Sequence, residues 1–227
     1  PWWKAKDTKL VHFLGKDYIV FLMFIFPALL GEHGDFVLPA NVPANEFMNL
    51  EGRKMSTSRN WTVWLHEYLE ELPSRQDELR YTLITNLPET KDSEFTWEDF
   101  QSKVNNELVA TLGNFVNRVL VLTQKYFDGE TGPGTDFDLS AHPLLKSAEQ
   151  TYKKVDERLE RYAIRLAMEE VMDYARQCNK YLTEREPWKL IKEDEAGTRD
   201  ILWASVQAIA HLGNLRSEER RVGKECA

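Results

Sequence analysis

Glu51-Gly52-Arg53-Lys54-Met55-Ser56-Thr57-Ser58-Arg59 packs a glycine, three cations and three small hydroxyls into nine residues. Gly52 permits a tight backbone turn. The hydroxyls and the backbone N–H groups of such a loop can donate to phosphate oxygens, and Lys54 and Arg59 can neutralise charge that develops on a departing pyrophosphate. The spacing is not that of a G-x-x-x-x-G-K-[ST] phosphate loop. Taken alone the nonapeptide has two readings, a solvated loop or a polyphosphate cradle, and its flanks decide between them.

Upstream, residues 9–15 form a short apolar run ending in glycine. They predict a buried strand, and residues 16–30 predict the helix that follows it. Residues 36–38 and 47–50 predict further short strands separated by Pro39 and Pro43, the closing edge of an α/β nucleotide-binding domain. Ligands of such sheets sit at the carboxyl ends of strands, where Gly15, Lys16 and Asp17 fall. The almost wholly apolar run 18–30 contains Pro27 and is thirteen residues long, against about twenty for a membrane span. It predicts a buried helix and no membrane partner.

Downstream the period changes to that of helices. Trp61, Trp64, Leu65, Tyr68, Leu69 and Leu72 share one helix face, with Asn60 as the expected N-cap and Pro73 as the stop. A second helix is expected near Asp77. Thr96 and Asp99 are spaced as a capping pair for a helix running unbroken to about Phe127. That helix would bury Phe100, Val104, Leu108, Leu112, Phe115 and Val119 and set Asn114 and Arg118 one turn apart on the same face. Residues 128–143 predict a loop, 144–154 and 155–182 two helices, and 197–212 a last helix, together a bundle. The domain boundary is expected within residues 88–95.

The chain has 227 residues, 42% of them hydrophobic, and a formal charge of −8. That is enough apolar content for a core, and the acidic balance excludes a broad, sequence-blind grip on nucleic acid. Readout of RNA by a few stacked and hydrogen-bonded side chains stays open. Cys178 and Cys226 are the only cysteines, which excludes a disulfide framework and predicts a reducing cytoplasm. His12, His33, His66, His142 and His211 show no i, i+4 pairing, so no metal site is predicted. The chain opens on Pro1 in what reads as mid-domain sequence, and residues 216–226, RSEERRVGKEC, read as translated sequencing adapter; the expectation is a non-native tail over 216–227.

Set between Asn45-Glu46-Phe47-Met48-Asn49-Leu50 and Trp61-Thr62-Val63-Trp64-Leu65, the opening nonapeptide resembles the KMSKS signature loop of class I aminoacyl-tRNA synthetases, and of the methionyl-tRNA synthetase family in particular. His12-Phe13-Leu14-Gly15-Lys16-Asp17 is similar to that family's Gly-Lys-Asp turn beside the adenosine. Gly113-Asn114-Phe115-Val116-Asn117-Arg118 contains its Asn-x-x-x-Arg anticodon motif, and Pro187-Trp188 matches its Pro-Trp pair. The resemblance runs from about Trp2 to about Leu215.

It implies an α/β nucleotide-binding domain remnant of the Rossmann-like class I kind over residues 1–92, with the signature loop and connecting helices. An all-α anticodon-binding helix bundle would follow over residues 93–215. It also implies ATP with Mg2+ as cofactor, methionine and tRNA as partners, and zinc only in an upstream part. In such enzymes the loop closes over ATP and stabilises the attack of the amino-acid carboxylate on the α-phosphate by electrostatic positioning. The resemblance assigns that role to Lys54, Ser56, Thr57, Ser58 and Arg59. ATP contacts fall to Gly15, Lys16, Asp17, Lys54 and Met55, with Asp17 accepting from the ribose hydroxyls. Anticodon readout falls to Asn114, Arg118, Pro187 and Trp188. An aromatic to stack on a base beside an amide and a guanidinium is how single-stranded RNA is read; Trp188 as a core residue is the other reading.

The chain departs from the family pattern at Thr57, where a second lysine is usual, and at Tyr18 and Leu22, where a small or aliphatic residue and a pocket histidine are expected. A rival function, a tRNA-binding module without catalysis, draws on these departures.

Overall fold

The computed structural model describes residues 2–136 and 138–216, and the expected tail lies, apart from the backbone of Arg216, outside them. The chain divides into two compact units, Pro1–Asp99 and Phe100–Ala227.

In the first unit Trp2–Lys4 is a short 3-10 turn. The run 9–15 is not one strand; it yields β1 (Leu10–Val11) and β2 (Leu14–Gly15). A 3-10 turn, Lys16–Tyr18, and a π-helical turn, Phe21–Ile25, lead into α1 (Phe26–His33), which ends on Gly34 at φ 86°. The expected buried helix is therefore only partly α-helical, and much of it is exposed: Tyr18 and Phe24 keep 62% and 66% of their surface. Phe26, at the start of α1, meets the Trp3 and His12 rings at 6.1 and 5.7 Å, while much of the run stays in solvent.

Residues 36–38 do not form the expected strand. The Val37 N–H is taken by the carbonyl of Trp3 at 2.8 Å, and pairing starts at Pro39, a first-strand position where the missing N–H costs nothing. β3 (Pro39–Asn41) pairs parallel with β1, and β4 (Ala44–Asn45) parallel with β2. β5 (Met48–Leu50) pairs antiparallel with β6 (Arg53–Lys54) and parallel with β7 (Ser93–Phe95). Between them lie α2 (Leu65–Glu71) and α3 (Gln76–Thr85).

Asn60 does not cap α2. It adopts φ 51°, a left-handed conformation that Asn tolerates, and closes the turn ahead of the helix, whose N-cap is Trp64. Tyr68, Leu79, Tyr81 and Phe95 form the buried part of the unit with Leu50, and the Tyr68 and Trp97 rings stack at 6.3 Å.

Thr96 caps the next helix as expected, its Oγ1 accepting from the Asp99 N–H at 3.0 Å. α4 (Trp97–Lys103) continues without a break through a π-helical stretch, Val104–Gly113, into α5 (Asn114–Phe127), which ends on the left-handed Asp128. Along this helix Leu112, Phe115 and Val119 are buried, while Phe100, Val104 and Leu108 are only half-buried.

In the second unit a 3-10 turn, Leu139–Ala141, precedes α6 (Pro143–Glu160), and α7 (Ile164–Arg185) follows. The helix break falls near Tyr162, at φ 58°, and not at the expected position 154, because Val155 is a core residue that keeps α6 going. α8 (Pro187–Leu190) and α9 (Glu195–Arg216) complete the bundle. Phe115, Val119, Tyr174, Cys178, Leu182, Leu202 and Leu212 are among its largest fully buried side chains, and burial pushes the Cys178 thiol up to about 12. The loop before α6 is pinned to α9 by Asp200, which accepts from the Gly134 N–H at 2.7 Å and the Thr135 hydroxyl at 2.6 Å. Among the described residues no helix is long and apolar enough to cross a membrane.

Candidate functional site

The nonapeptide folds as two turns in series. Leu50 faces Arg53 and Asn49 faces Lys54 across β5 and β6, which leaves Glu51 and Gly52 as a two-residue hairpin loop with φ 47° and 73°. Positive φ at both positions is the geometry that matches hairpin twist. It strains Glu51 and suits Gly52, as the sequence requires of that glycine. The Glu94 carboxylate on β7 accepts from the Gly52 N–H, and Glu51 accepts from the Trp97 N–H at 2.8 Å.

Past Met55, Ser56 and Trp61 exchange two backbone hydrogen bonds of 2.9 Å and the Asn60 N–H donates to the Thr57 carbonyl at 3.0 Å. Residues 57–60 are thus held out as a closed turn. Thr57, Ser58 and Arg59 are exposed, and the Ser56 and Ser58 hydroxyls lie 3.1 Å apart. The base of the turn is anchored by the Trp61 indole, which donates to the Leu50 carbonyl at 3.0 Å and lies 5.1 Å from the Arg53 guanidinium.

Gly15, Lys16 and Asp17 sit at the carboxyl end of β2, where the α/β rule puts a ligand. A methyl group added at Gly15 would meet nothing within 4 Å, so no steric demand for glycine acts there. Lys16 pairs with Glu46 and, at 3.1 Å, with Asp92. Those two carboxylates, Glu46 ahead of Asp92, raise the lysine above its ordinary range. Asp92 is held below the usual carboxylate range first by the Phe47 N–H, at 3.0 Å, and then by Lys16. The ammonium groups of Lys16 and Lys54 lie 4.3 and 4.5 Å from the centre of the same Phe47 ring. Two cations far apart in sequence therefore meet at one aromatic side chain. Asp17 and Lys54 are exposed, and Met55 and Leu22 are half-buried.

In the helical unit Arg118 on α5 donates to Asn179 Oδ1 at 3.3 Å and Thr183 Oγ1 at 3.1 Å on α7, and its guanidinium lies 5.0 Å from the Trp188 ring. Pro187 is buried at the first position of α8, behind the left-handed Glu186, and holds Trp188 half-exposed. Asn114, the first residue of α5 after the π-helical stretch, is exposed. Arg118, Pro187 and Trp188 are thus brought together. Glu46, Phe47, Asp92 and Glu94 around the loop, and Asn179 and Thr183 behind Arg118, were not foreseen from sequence. No spacing signal marks them, because Glu46, Asp92, Glu94, Asn179 and Thr183 act across long sequence separations and Phe47 meets Lys54 only through the β5–β6 pairing. Among the described residues no three His, Cys, Asp or Glu side chains cluster so as to hold a metal ion.

A hairpin-mounted basic loop beside the end of a parallel strand pair, followed by helices, is matched over residues 1–120 by the family model for class I tRNA synthetases (M). The chain belongs to that family and has the class I synthetase fold. Within the class, it is 54% identical over 215 residues to a methionine–tRNA ligase of Christiangramia forsetii and 56% identical over 214 residues to one of Porphyromonas gingivalis. Each match covers 93% of this chain and 31% of the relative, so the chain spans about a third of those proteins' length. A solved Mycobacterium tuberculosis methionyl-tRNA synthetase in complex with methionyl-adenylate superimposes with a TM-score of 0.81 at 29% identity, over 92% of this chain and 41% of that one.

Proposed function

We propose that the parent of this chain is a methionine–tRNA ligase of the cytoplasm, which activates methionine with ATP and transfers it to tRNA. Residues 1–92 supply the end of a Rossmann-like catalytic domain and residues 93–215 the anticodon-binding bundle. The observation that carries this reading is the meeting of Lys16 and Lys54 on one side chain, beside a turn that presents Thr57, Ser58 and Arg59 to solvent. A triphosphate laid across that edge would meet cations from two elements. The geometry of Arg118 and Trp188 supports the second half of the reading, a base stacked on the indole with the guanidinium at its edge. The rival, a module without catalysis, finds no support in relatives named as ligases.

In the proposed site Lys54, Ser56, Thr57, Ser58 and Arg59 close over the phosphates, with Gly15, Lys16, Asp17 and Met55 completing the ATP contacts. Mg2+ enters with ATP as part of the substrate. Thr57 cannot supply the charge of a lysine, so Lys54, Arg53 and Arg59 carry more of it. Since that charge matters most as pyrophosphate departs, Lys54→Ala in the complete parent enzyme should slow methionine-dependent pyrophosphate exchange by about 10²-fold while leaving ATP affinity nearly unchanged. A variant whose only defect is weaker ATP binding would make Lys54 a ground-state binder and refute the role given to it.

A further inference from the structure

We propose that Phe47 is a positioning residue that seats Lys54 for the phosphates without neutralising it; the inference rests on the adenylation reading above. Phe47 lies two residues before Asn49, the cross-strand partner of Lys54. It therefore occupies the diagonal position from which an aromatic ring reaches a long side chain on the neighbouring strand.

The ring's backbone is fixed on both sides. Its N–H donates to Asp92 at 3.0 Å, and its carbonyl accepts from the Ser93 N–H at 2.9 Å. Two ammonium groups at one ring repel each other, and the pairing of Lys16 with Glu46 and Asp92 offsets that repulsion. Lys54 differs: among the described residues no carboxylate pairs with it, and its ammonium lies 4.5 Å from the ring centre. A carboxylate in place of the ring would hold Lys54 equally well but would cancel the charge a departing pyrophosphate needs. The face of an aromatic ring attracts a cation through its quadrupole and leaves that charge intact. The seat thus orders a flexible side chain before substrate arrives, which lowers the cost of reaching the transition state.

The test is single-turnover adenylate formation by the complete parent enzyme. Phe47→Leu, which keeps apolar volume and removes the quadrupole, should slow the step by roughly 3- to 10-fold with the KM for methionine unchanged. Phe47→Tyr should restore the rate. Stepwise fluorination of the Phe47 ring, which weakens the quadrupole at nearly constant shape, should lower the rate with each fluorine, so a misfolded leucine variant would not end the test. In a Lys54→Ala background Phe47→Leu should have no further effect. An equal loss in that background, or a fluorine series at constant rate, overturns the inference. A slow Lys54→Ala enzyme beside a full-rate Phe47→Leu enzyme overturns it alone, whereas a full-rate Lys54→Ala enzyme overturns the catalytic reading of the loop and this inference with it.

Discussion

The first unit leaves Tyr18, Phe21, Phe24, Ile25 and Leu29 largely in solvent, while the helical unit closes Phe115, Tyr174, Leu182 and Leu202 into a core from which water is excluded. Both stretches are rich in apolar residues, so composition does not separate them. The difference lies in what each period can pack against. In the bundle, amphipathic helices of comparable length meet α6 against α7 and α9 against both, so their apolar stripes cover one another. In the first unit Leu50 on β5 and Phe95 on β7 are buried, but the two-residue strands β1, β2 and β4 carry no buried side chain. Apolar content therefore says what is to be buried and not by what.

The largest test of that contrast is truncation on either side of it. Leu182→Ala, at a fully buried position, should cost about 2–5 kcal/mol of unfolding free energy measured by urea denaturation. Phe24→Ala should stay within about 0.5 kcal/mol. Comparable losses from the two would mean that the apolar run of the first unit is packed after all.

A smaller effect is expected where the bundle meets solvent. Trp188 is held by Pro187 and Arg118 but remains half-exposed, so Trp188→Ala in the complete parent should remove roughly 1–3 kcal/mol of tRNA binding through lost base stacking and leave the melting temperature nearly unchanged. Asn114→Ala and Arg118→Ala should chiefly erode the discrimination between anticodons that we propose for the bundle. Lost stability with full affinity in the remaining folded fraction would return Trp188 to the core reading.

How much was legible follows the same division. Gly52 and the Thr96 cap could be read from local chemistry, because a two-residue hairpin and a first helical turn are decided by the residues within them. The break between α6 and α7 could not. Tyr162 breaks the chain at positive φ with neither glycine nor proline to mark it, since the packing of Val155 and Ala167 on the core fixes where the helices run. The π-helical stretch Val104–Gly113 likewise has no compositional mark. At the candidate site the loop's own residues were visible as a cluster in sequence, but Phe47 and Asp92 were not. Asp92 comes to the site through the parallel pairing of β5 with β7, which joins residues 48–50 to 93–95, and Phe47 meets Lys54 through the antiparallel pairing of β5 with β6.

The smallest expected effect concerns His142, which joins the two kinds of environment at the N-terminus of α6. Its Nδ1 accepts from the Leu144 N–H at 3.3 Å and its Nε2 lies 3.1 Å from the Tyr181 hydroxyl. The ring therefore serves as a cap only while Nδ1 is unprotonated. Burial, with the nearby Arg185 charge as the lesser cause, holds its pKa below the ordinary imidazole value. Above about pH 6.5, the usual histidine pKa, both folded and unfolded chains carry a neutral ring and the contribution to stability is complete. As pH falls through that value the unfolded chain takes up a proton that the folded chain refuses, so stability declines until the lower folded pKa is reached. Melting temperatures of the chain should therefore fall between pH 8 and pH 5 in part from this source. His142→Asn supplies a good N-cap acceptor that does not titrate, and should flatten that part of the profile. A variant with the same slope as the original would assign the acid sensitivity to other groups and leave His142 as a cap alone.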